Sequence, residues 1–317
     1  MNSEWLQTRI FCNFSNERID VEADHIILTY VLPTFQQVKE RGWVESRYFK
    51  RFSGGGHHID MRCLADGDTL RSCVRPFIQK TLPLFLHLNF PPPPAEVVAS
   101  SHPRFQKLNE RFGEGDIIHA PYTFTMRMLD NVELIDPLLT PVQRAVDDLS
   151  AMMTIALLSD TAVTAPKRYL WALLASCWSL RPLHNMMHIA SFCEGMSEQW
   201  FTQFEINTAW RHIFTQKYAH SGPQLTRLLG LDLHDSRLTA VLGAAPTSSL
   251  IAYVEKYNKH LLPLMNAPAH ILNTNHVELM AATAVHLLHN RLGLTLEEEL
   301  FTNYLLARFF ADERTTA

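Results

Sequence analysis

Charged and flexible residues are scarce in this chain of 317 residues. Only 19% of the residues are charged and 12 are glycine, whereas 47% are hydrophobic and 10% are aromatic. A disordered chain carries more charge and fewer large apolar side chains, so disorder over most of the chain is excluded. The composition predicts a protein that folds around its own core, and the length allows one large domain or two.

An excess of positive charge is also absent. Lysine and arginine number 28 against 32 aspartate and glutamate residues, which gives a net charge of −4 with histidine neutral. Binding to a phosphate backbone needs a basic surface, so we expect no direct binding to nucleic acid. The 16 histidines would make the net charge positive on mild acidification.

The cysteine pattern and the lack of long apolar runs predict the compartment. The five cysteines are odd in number and include no Cys-x-x-Cys pair, so we expect reduced and mostly buried thiols rather than disulfides or structural zinc. The first 13 residues do not read as a secretion signal, and no run of about 18 apolar residues occurs. We therefore expect a soluble, cytoplasmic protein without membrane contact.

Several common catalytic motifs are missing. The chain has no glycine-rich phosphate loop of either common type, and no serine stands in a nucleophile elbow. His184 and His188 have the spacing of metal ligands, but no glutamate follows His184 and no third ligand is apparent. The sequence thus gives no support to nucleotide, serine-hydrolase or metal chemistry.

Hydrophobic periodicity predicts an α+β fold in one composite domain that covers residues 1–317. Up to about residue 139 strands and helices are mixed in a sheet-containing half, and from Pro141 onward the pattern is almost wholly helical. The predicted strands are residues 4–14, 47–52, 58–64 and 117–127. The predicted helices are residues 24–41, 68–79, 141–158, 167–177, 198–218, 248–264, 276–292 and 296–311. Four prolines open a predicted surface loop at residues 91–112.

A run of three glycines, residues 54–56, joins two predicted strands. Glycine loses much conformational entropy on folding, so the run indicates a turn with positive φ or close approach of another molecule to the backbone. Gly55, at its centre, is therefore a candidate substrate contact.

His58, Asp60 and Arg62 follow the glycines at alternate positions of the next strand. Alternation places an imidazole, a carboxylate and a guanidinium on one face, in a row about 7 Å apart. Such a row is costly to bury, so it either lines a functional site or forms a solvent-facing edge of the sheet. Composition alone favours the solvent-facing edge.

The predicted helix 276–292 carries a second cluster of polar residues. His286, His289 and Asn290 lie three and four positions apart and can face one pocket, while Arg291 is offset. Periodicity predicts a buried stripe on this helix, formed by Leu279, Ala282, Val285 and Leu292. A histidine on such a helix is more often a hydrogen-bonded core residue than a catalyst, and periodicity leaves both interpretations open.

Two segments together resemble a known family. Residues 47–62, Arg-Tyr-Phe-Lys-Arg-Phe-Ser-Gly-Gly-Gly-His-His-Ile-Asp-Met-Arg, resemble the hairpin of the lantibiotic dehydratase C-terminal domain, also described as the thiopeptide-type bacteriocin biosynthesis domain. Residues 286–294, His-Leu-Leu-His-Asn-Arg-Leu-Gly-Leu, followed by three glutamates, resemble the histidine-containing helix of the same family. The two segments occur in the family's order, and the resemblance extends from about Trp5 to Phe310.

The resemblance implies a tailoring enzyme for ribosomally synthesised and post-translationally modified peptides (RiPPs). In such pathways a partner enzyme glutamylates serine or threonine from glutamyl-tRNA, and this domain eliminates the glutamate to leave dehydroalanine or dehydrobutyrine. Stand-alone relatives of this length also include pyridine synthases, which join two dehydroalanines in a formal cycloaddition and release the leader peptide. We expect elimination, with pyridine formation as the first alternative and a non-catalytic leader-peptide-binding partner as the second.

The resemblance and the chemistry of elimination together predict the roles of individual residues. Elimination needs a base for the α-proton and cations that hold the departing glutamate carboxylates. We expect His286 to act as base or acid, and Arg62 and Arg127 to form a carboxylate clamp, because a guanidinium binds a carboxylate bidentately. The candidate substrate-binding residues are His58, Asp60, Asn290, Arg291 and Gly55. The mechanism requires no cofactor.

Two departures from the family pattern bear on this expectation. Asp60 stands where the family usually has an arginine, and like-charge repulsion should weaken the capture of a doubly anionic glutamyl group. Arg127 follows Tyr122 in a segment that lacks the glutamate and the Tyr-Gly-Gly of the family motif. Retention of Arg62 and His286 favours elimination nonetheless.

The expected partners are a precursor peptide with its leader and a separate glutamylating enzyme that uses glutamyl-tRNA. An extended leader is expected to add as a strand at a sheet edge. A homodimer is compatible with the resemblance, because related proteins often self-associate. The mechanism also predicts that Arg62 and His286 meet across one cleft.

Overall fold

The computed structural model describes residues 3–12, 19–52, 57–90, 121–130, 140–185, 187–203, 209–265 and 274–315. The chain divides into two compact units, Met1–Leu134 and Ile135–Ala317. All strands of the described residues lie in the first unit, and the second unit is helical, so the predicted α+β class with a helical second half is confirmed. The glycines at 54–56 and the predicted loop at 91–112 lie outside the described residues.

A four-stranded antiparallel sheet forms the framework of the first unit. Its strands lie in the order β2-β3-β1-β4. The strand bounds are β1 Ser3–Phe11, β2 Ser46–Phe52, β3 His58–Asp66 and β4 Phe124–Asp130. Because β3 is a central strand, the prediction that His58, Asp60 and Arg62 form an edge is wrong. The alternation of β-branched, aromatic and charged residues gives the sheet one apolar and one polar face.

Two helical segments accompany the sheet, and each contains a π-helical turn. The turn Ile27–Val31 joins α1 to α2, and the turn Leu70–Val74 joins α3 to α4. The helix bounds are α1 Ile19–Ile26, α2 Leu32–Glu40, α3 Gly67–Thr69 and α4 Arg75–Asn89. Pro33 and Pro76 follow these turns and have no N–H to donate, and the preceding amides bond five residues back instead of four. The predicted end of the second segment at residue 79 is wrong, because α4 continues through Pro83.

The apolar face of the sheet belongs to the core of the first unit. Its buried side chains include Ile10, Phe49, Ile59, Met61 and Cys63. Buried residues of the helical segments, among them Ile27, Phe35, Ile78 and Leu82, complete this core. Arg51, on the same face of the sheet, donates a hydrogen bond to Asp24 and so ties β2 to α1. Each fully buried side chain of this size contributes about 1.5–3 kcal/mol.

The second unit consists of helices around one apolar core. The helix bounds are α5 Thr140–Leu158, α6 Ala165–Leu180, α7 Ile189–Gln203, α8 Ala209–Leu229, α9 Ser236–Leu242, α10 Ala244–Met265, α11 Thr274–Leu292 and α12 Leu296–Thr315. The sequence predicted one helix over residues 198–218, where the structure has α7 and α8, and it did not predict α9. Helix α6 lies deepest, since every residue from Trp171 to Leu180 is buried.

The cysteines are free thiols, as the sequence predicted. Cys12, Cys63, Cys177 and Cys193 are buried, and Cys73 is partly exposed. Burial raises the pKa of the Cys12 and Cys63 thiols to about 12, which keeps them protonated. None of the helices in the described ranges is long and apolar enough to cross a membrane.

Candidate functional site

The strand register places a set of polar side chains on the side of the sheet opposite its apolar face. We call this side the polar sheet face. Its members are Gln7, Arg9, Tyr48, Lys50, His58, Asp60, Arg62 and Arg127. Four of these side chains are cationic and only Asp60 is acidic, so the polar sheet face has an excess of positive charge. It offers the first unit a surface for an anionic ligand.

Asp60 lies at the centre of a hydrogen-bonded network on this face. Its Oδ2 atom accepts a bond of 2.7 Å from Gln7 Nε2 and one of 3.0 Å from Arg62 Nη2, and Lys50 Nζ lies 3.7 Å away. The residue is 1% exposed. Burial alone would raise the pKa of the Asp60 carboxyl, but the charges of Arg62 and Lys50 outweigh it and hold that pKa below its usual value. Asp60 is therefore an anion, and neighbouring cations neutralise it.

Gln7 continues the network across the sheet to Arg127. Gln7 pairs with Arg62 in β3 and with Arg127 in β4, so the two arginines flank it on the same face. Arg127 Nε donates a short hydrogen bond to Gln7 Oε1. The sequence predicted Arg62 and Arg127 as a pair, and the structure brings them to one surface of the first unit. Gln7, which links them, was not predicted.

Arg62 keeps donors for a ligand in spite of its ion pair. Its Nε and Nη2 atoms bond Asp60, and its Nη1 atom donates a bond of 3.3 Å to the Tyr48 hydroxyl. In the described part of the chain these bonds leave one N–H on each terminal nitrogen as a donor for a ligand. The Arg62 side chain is 20% exposed.

His58 completes the row that the sequence predicted on β3. It is only 2% exposed, and its ring lies 5.1 Å from the ring of Phe11. A buried position beside an aromatic ring suits a histidine that supports the surface better than one that contacts a solvent-borne peptide. The other predicted contact of this hairpin, Gly55, lies outside the described residues.

His286 and Glu299 form the most base-like arrangement of the second unit. His286, on α11, has its Nδ1 atom 2.8 Å from Glu299 Oε1 and 3.1 Å from Oε2, and Glu299 on α12 is 4% exposed. The imidazole is about one third exposed, at 34%, and lies 4.9 Å from the ring of Trp200. A carboxylate that accepts the Nδ1 proton leaves Nε2 as the basic nitrogen.

The three glutamates at the start of α12 have different roles. Glu298 Oε2 accepts the Thr295 N–H at 2.8 Å, and Thr295 Oγ1 accepts the Glu298 N–H at 3.2 Å, which is a capping box. Glu297 pairs with Lys217 at the surface. Glu299 alone contacts His286. The sequence indicated no role for any of the three, because only the contact between Glu299 and His286 in the folded chain distinguishes them.

His289 is a core histidine. It is 0% exposed, and its Nε2 atom lies 2.8 Å from the Ser176 hydroxyl. Burial lowers the pKa of His289 to about 4, and the negative charge of Glu299 offsets this only in part. The residue is therefore neutral near pH 7. The prediction that His286 and His289 face one pocket is wrong in this respect, since only His286 reaches solvent.

Arg291 also belongs to the core, which corrects its predicted role in substrate binding. Its side chain is 0% exposed, and its Nη2 atom lies 2.9 Å from Asp147 Oδ1. Arg291 also donates a short hydrogen bond to the Ser150 hydroxyl. A guanidinium enclosed in this way cannot reach a peptide in solvent. Asn290, its neighbour, is partly exposed and stays a candidate contact.

The predicted stripe of α11 is partly wrong. Leu279 is 50% exposed, whereas Val285 and Leu292 are buried as predicted. The face that packs inward also includes Val277, Met280, Ala281, Ala284 and Leu288. His286 lies at the margin of this face, which explains how it contacts Glu299 and solvent at once.

Arg62 and Arg127 lie in the first unit, and His286 lies in the second. The expectation that Arg62 and His286 meet across one cleft stays a prediction. Among the residues that the structure describes, no group of three His, Cys, Asp or Glu side chains could hold a metal ion. His184, one of the two histidines with metal-ligand spacing, has a side chain outside the described part of the chain.

Comparison of the fold with solved structures finds similar proteins at low sequence identity. The pyridine synthase TbtD from thiomuracin biosynthesis is 17% identical with a TM-score of 0.64, and the match covers 99% of this chain and 100% of TbtD. TsrL is 12% identical with a TM-score of 0.56, over 99% of this chain and 96% of TsrL. The tRNA-dependent lantibiotic dehydratase MibB from Microbispora sp. 107891 is 14% identical with a TM-score of 0.54, over 98% of this chain and 28% of MibB. These similarities show the fold.

Sequence comparisons identify a family for this chain but no individual relative of known function. No functionally curated protein matches the chain. The family model for the C-terminal part of the lantibiotic biosynthesis dehydratase matches residues 5–310, which is nearly the whole chain and includes both units. The match confirms the resemblance that the hairpin and the histidine-containing helix indicated, and the chain belongs to the lantibiotic biosynthesis dehydratase C-terminal family.

Proposed function

We propose that this protein eliminates glutamate from glutamylated serine or threonine residues of a precursor peptide, leaving dehydroalanine or dehydrobutyrine. Family membership and the structural neighbours support a tailoring role in RiPP biosynthesis. The observation that carries the finer proposal is the His286–Glu299 pair, a solvent-accessible imidazole held by a buried carboxylate.

His286 supplies the base of the proposed reaction. Glu299 accepts the Nδ1 proton, so the Nε2 lone pair takes the proton from Cα of the modified residue. The electron pair of the broken C–H bond forms the Cα=Cβ double bond, and the Cβ–O bond breaks to release glutamate. The imidazolium that forms lies against the Glu299 carboxylate, which stabilises it. The proton passes from Cα to His286, and the electron pair passes through the new double bond to the departing glutamate. The step therefore needs no cofactor.

The polar sheet face supplies the cations of the proposed reaction. A glutamyl group taken from tRNA is esterified through its α-carboxyl, so it carries one ammonium and one carboxylate before elimination. A second carboxylate appears only as the ester bond breaks. Arg62 and Arg127 would then interact more strongly with the transition state than with the bound ester, which is the condition for catalysis. The ester is thus not doubly anionic, and the charge repulsion that Asp60 was expected to cause is smaller than the sequence indicated.

A second candidate function is pyridine formation on a peptide that already contains two dehydroalanines. The specific observation in its favour is that Asp60 neutralises part of the Arg62 charge, which a neutral substrate would tolerate. The match along the full length of a pyridine synthase also supports it. In this reaction the His286–Glu299 pair would move the protons that accompany ring formation and leader release.

A mass-spectrometric assay tests the proposal. The purified protein is mixed with a glutamylated precursor peptide, and loss of glutamate is followed over time. His286→Ala should trap the glutamylated peptide, and Glu299→Gln should lower kcat about 100-fold, because the imidazole loses the carboxylate that orients and stabilises it. Glu297→Gln is the matched control, since it changes a neighbouring glutamate that pairs with Lys217 at the surface.

The remaining outcomes distinguish the alternatives. An untouched glutamylated peptide, together with conversion of a bis-dehydroalanine peptide to a pyridine with release of the leader, would refute elimination and establish the second candidate. Binding of the leader with no mass change on either substrate would identify a non-catalytic partner. Equal activity of the wild-type protein and Glu299→Gln would exclude the His286–Glu299 pair from the mechanism.

A further inference from the structure

Two buried side chains hold both arginines of the polar sheet face. Gln7 and Asp60 are each 1% exposed, and they bond each other at 2.7 Å. Gln7 accepts from Arg127, and Asp60 accepts from Arg62. The two guanidinium groups are thus joined through one continuous chain of hydrogen bonds that spans β3, β1 and β4.

The chemistry of the network fixes the orientation of Gln7. Its carbonyl oxygen must face Arg127, which only donates, and its amide nitrogen must face Asp60, which accepts as a carboxylate. A reversed amide would place two donors together at Arg127 and two acceptors together at Asp60. The orientation of Gln7 is therefore tied to the charge of Asp60.

The register fixes the spacing of the two guanidinium groups. Arg62 and Arg127 lie opposite the same residue on either side of β1. Neighbouring strands are about 4.8 Å apart, so their Cα atoms are separated by roughly 10 Å. The long side chains could turn apart or together over that distance. The bonds to Asp60 hold Arg62 at Nε and Nη2, and the bond to Gln7 holds Arg127 at Nε, so neither guanidinium turns freely.

We propose that Gln7 and Asp60 are positioning residues that align the Arg62 and Arg127 guanidinium groups for carboxylate ligands. The inference rests on the proposed function for the identity of the reaction, but the alignment itself is a property of the first unit. Asp60 has two opposite effects in this arrangement. It orients Arg62, and its negative charge weakens the attraction of the same surface for anions.

These opposite effects give Asp60→Asn a signature that a structural role would not produce. The variant removes the negative charge and leaves a side chain of the same shape, so binding of glutarate should tighten on the order of tenfold. The same variant should lower kcat of elimination on the order of tenfold or more, because Arg62 is less well oriented for the transition state. Loss of folded protein would instead weaken both.

Gln7→Met provides a second, charge-neutral variant. Methionine has a similar volume but cannot bond Arg127 or Asp60 as an amide does. We expect a lower kcat, on the order of tenfold, and no tightening of glutarate binding. Gln36→Met is the matched control, since Gln36 is exposed on α2 of the same unit. It should leave both quantities unchanged.

The experiment measures glutarate binding by calorimetry and elimination by mass spectrometry on the full chain, with thermal unfolding as a check on folding. Tighter glutarate binding with lower kcat in Asp60→Asn supports the inference. Unchanged or weaker glutarate binding in that variant overturns it, as does a kcat for Gln7→Met equal to that of the wild type. If the wild-type protein does not eliminate glutamate, the proposed function fails, and the glutarate measurements alone then decide the inference.

Discussion

The buried His289 should make the helical unit sensitive to acid. Burial lowers the pKa of His289 to about 4, from a value near 6.5 in an unfolded chain. A histidine that is harder to protonate in the folded state stabilises the fold fully above pH 6.5. That stability is lost as the pH falls from 6.5 toward 4, because His289 then binds a proton in the unfolded chain but not in the folded chain. Below about pH 4 this residue causes no further loss.

The size of the effect follows from the same values. At about 1.4 kcal/mol for each pKa unit, the gap between 6.5 and about 4 corresponds to about 3 kcal/mol. His289→Gln removes the titration and can keep a hydrogen bond to Ser176. Its free energy of unfolding should therefore depend less on pH than that of the wild type, by about 1.4 kcal/mol for each pH unit between 6 and 4.5.

Urea denaturation at a series of pH values, followed by circular dichroism, measures this difference. The control is His220→Gln, which makes the same substitution at a histidine that is exposed on α8 and lies outside the core. An identical pH dependence in His289→Gln and the wild type would refute the reasoning. It would mean that His289 is protonated as easily in the folded chain as in the unfolded one.

Two further predictions concern the core and the thiols. Asp147→Asn leaves the Arg291 charge buried without its anion, and we expect the free energy of unfolding to fall by about 3–5 kcal/mol in chemical denaturation, whereas replacing both residues with apolar ones should cost less; a loss below 1 kcal/mol would contradict this. Cys73 is the only one of the five cysteines that is not buried, so a thiol reagent should modify one cysteine rapidly in the native protein and five in denaturant. Rapid reaction of two or more native thiols would show that the buried cysteines are accessible.

The sequence predicted the row of polar residues on β3 because alternation along a strand is a local property. It gave the correct face for His58, Asp60 and Arg62, and the register confirms that they share it. It did not predict the burial of His58 and Asp60, because β1 and β2 flank β3 through contacts between distant parts of the chain. Composition indicates exposure for such residues, and tertiary structure reversed that preference here.

The residues that support the predicted site were harder to find. Gln7 and Glu299 are each polar residues without a motif of their own, and they gain importance only through partners that lie 53 and 13 positions away. No local signal distinguishes Glu299 from Glu298, yet one orients His286 and the other caps a helix. Knowledge of which helices pack together was needed to separate them.

Errors in the helices have simple physical causes. Helix α4 was predicted to stop near residue 79, but it includes Pro83, where the loss of one hydrogen bond is outweighed by the burial of Leu82 and Leu86 on its inner face. On α11 the predicted stripe began at Leu279, and the structure buries Met280 instead. Adjacent positions on a helix differ by about 100°, so an error of one residue at Leu279 places that side chain in solvent instead of the core.

The π-helical turn Ile27–Val31 preserves the rotational phase of everything that follows it in the segment. Such a turn contains one residue more than an α-helical turn, so it accommodates a one-residue insertion in an otherwise regular helix. Deleting one of these five residues would restore regular α-helical winding, and because the wide turn already accommodates the extra residue, α2 would keep nearly the same rotational phase. Phe35 and Val38 would then stay in the core, so the loss of one residue would be far less damaging here than in a regular helix, where it rotates the rest of the helix by about 100°.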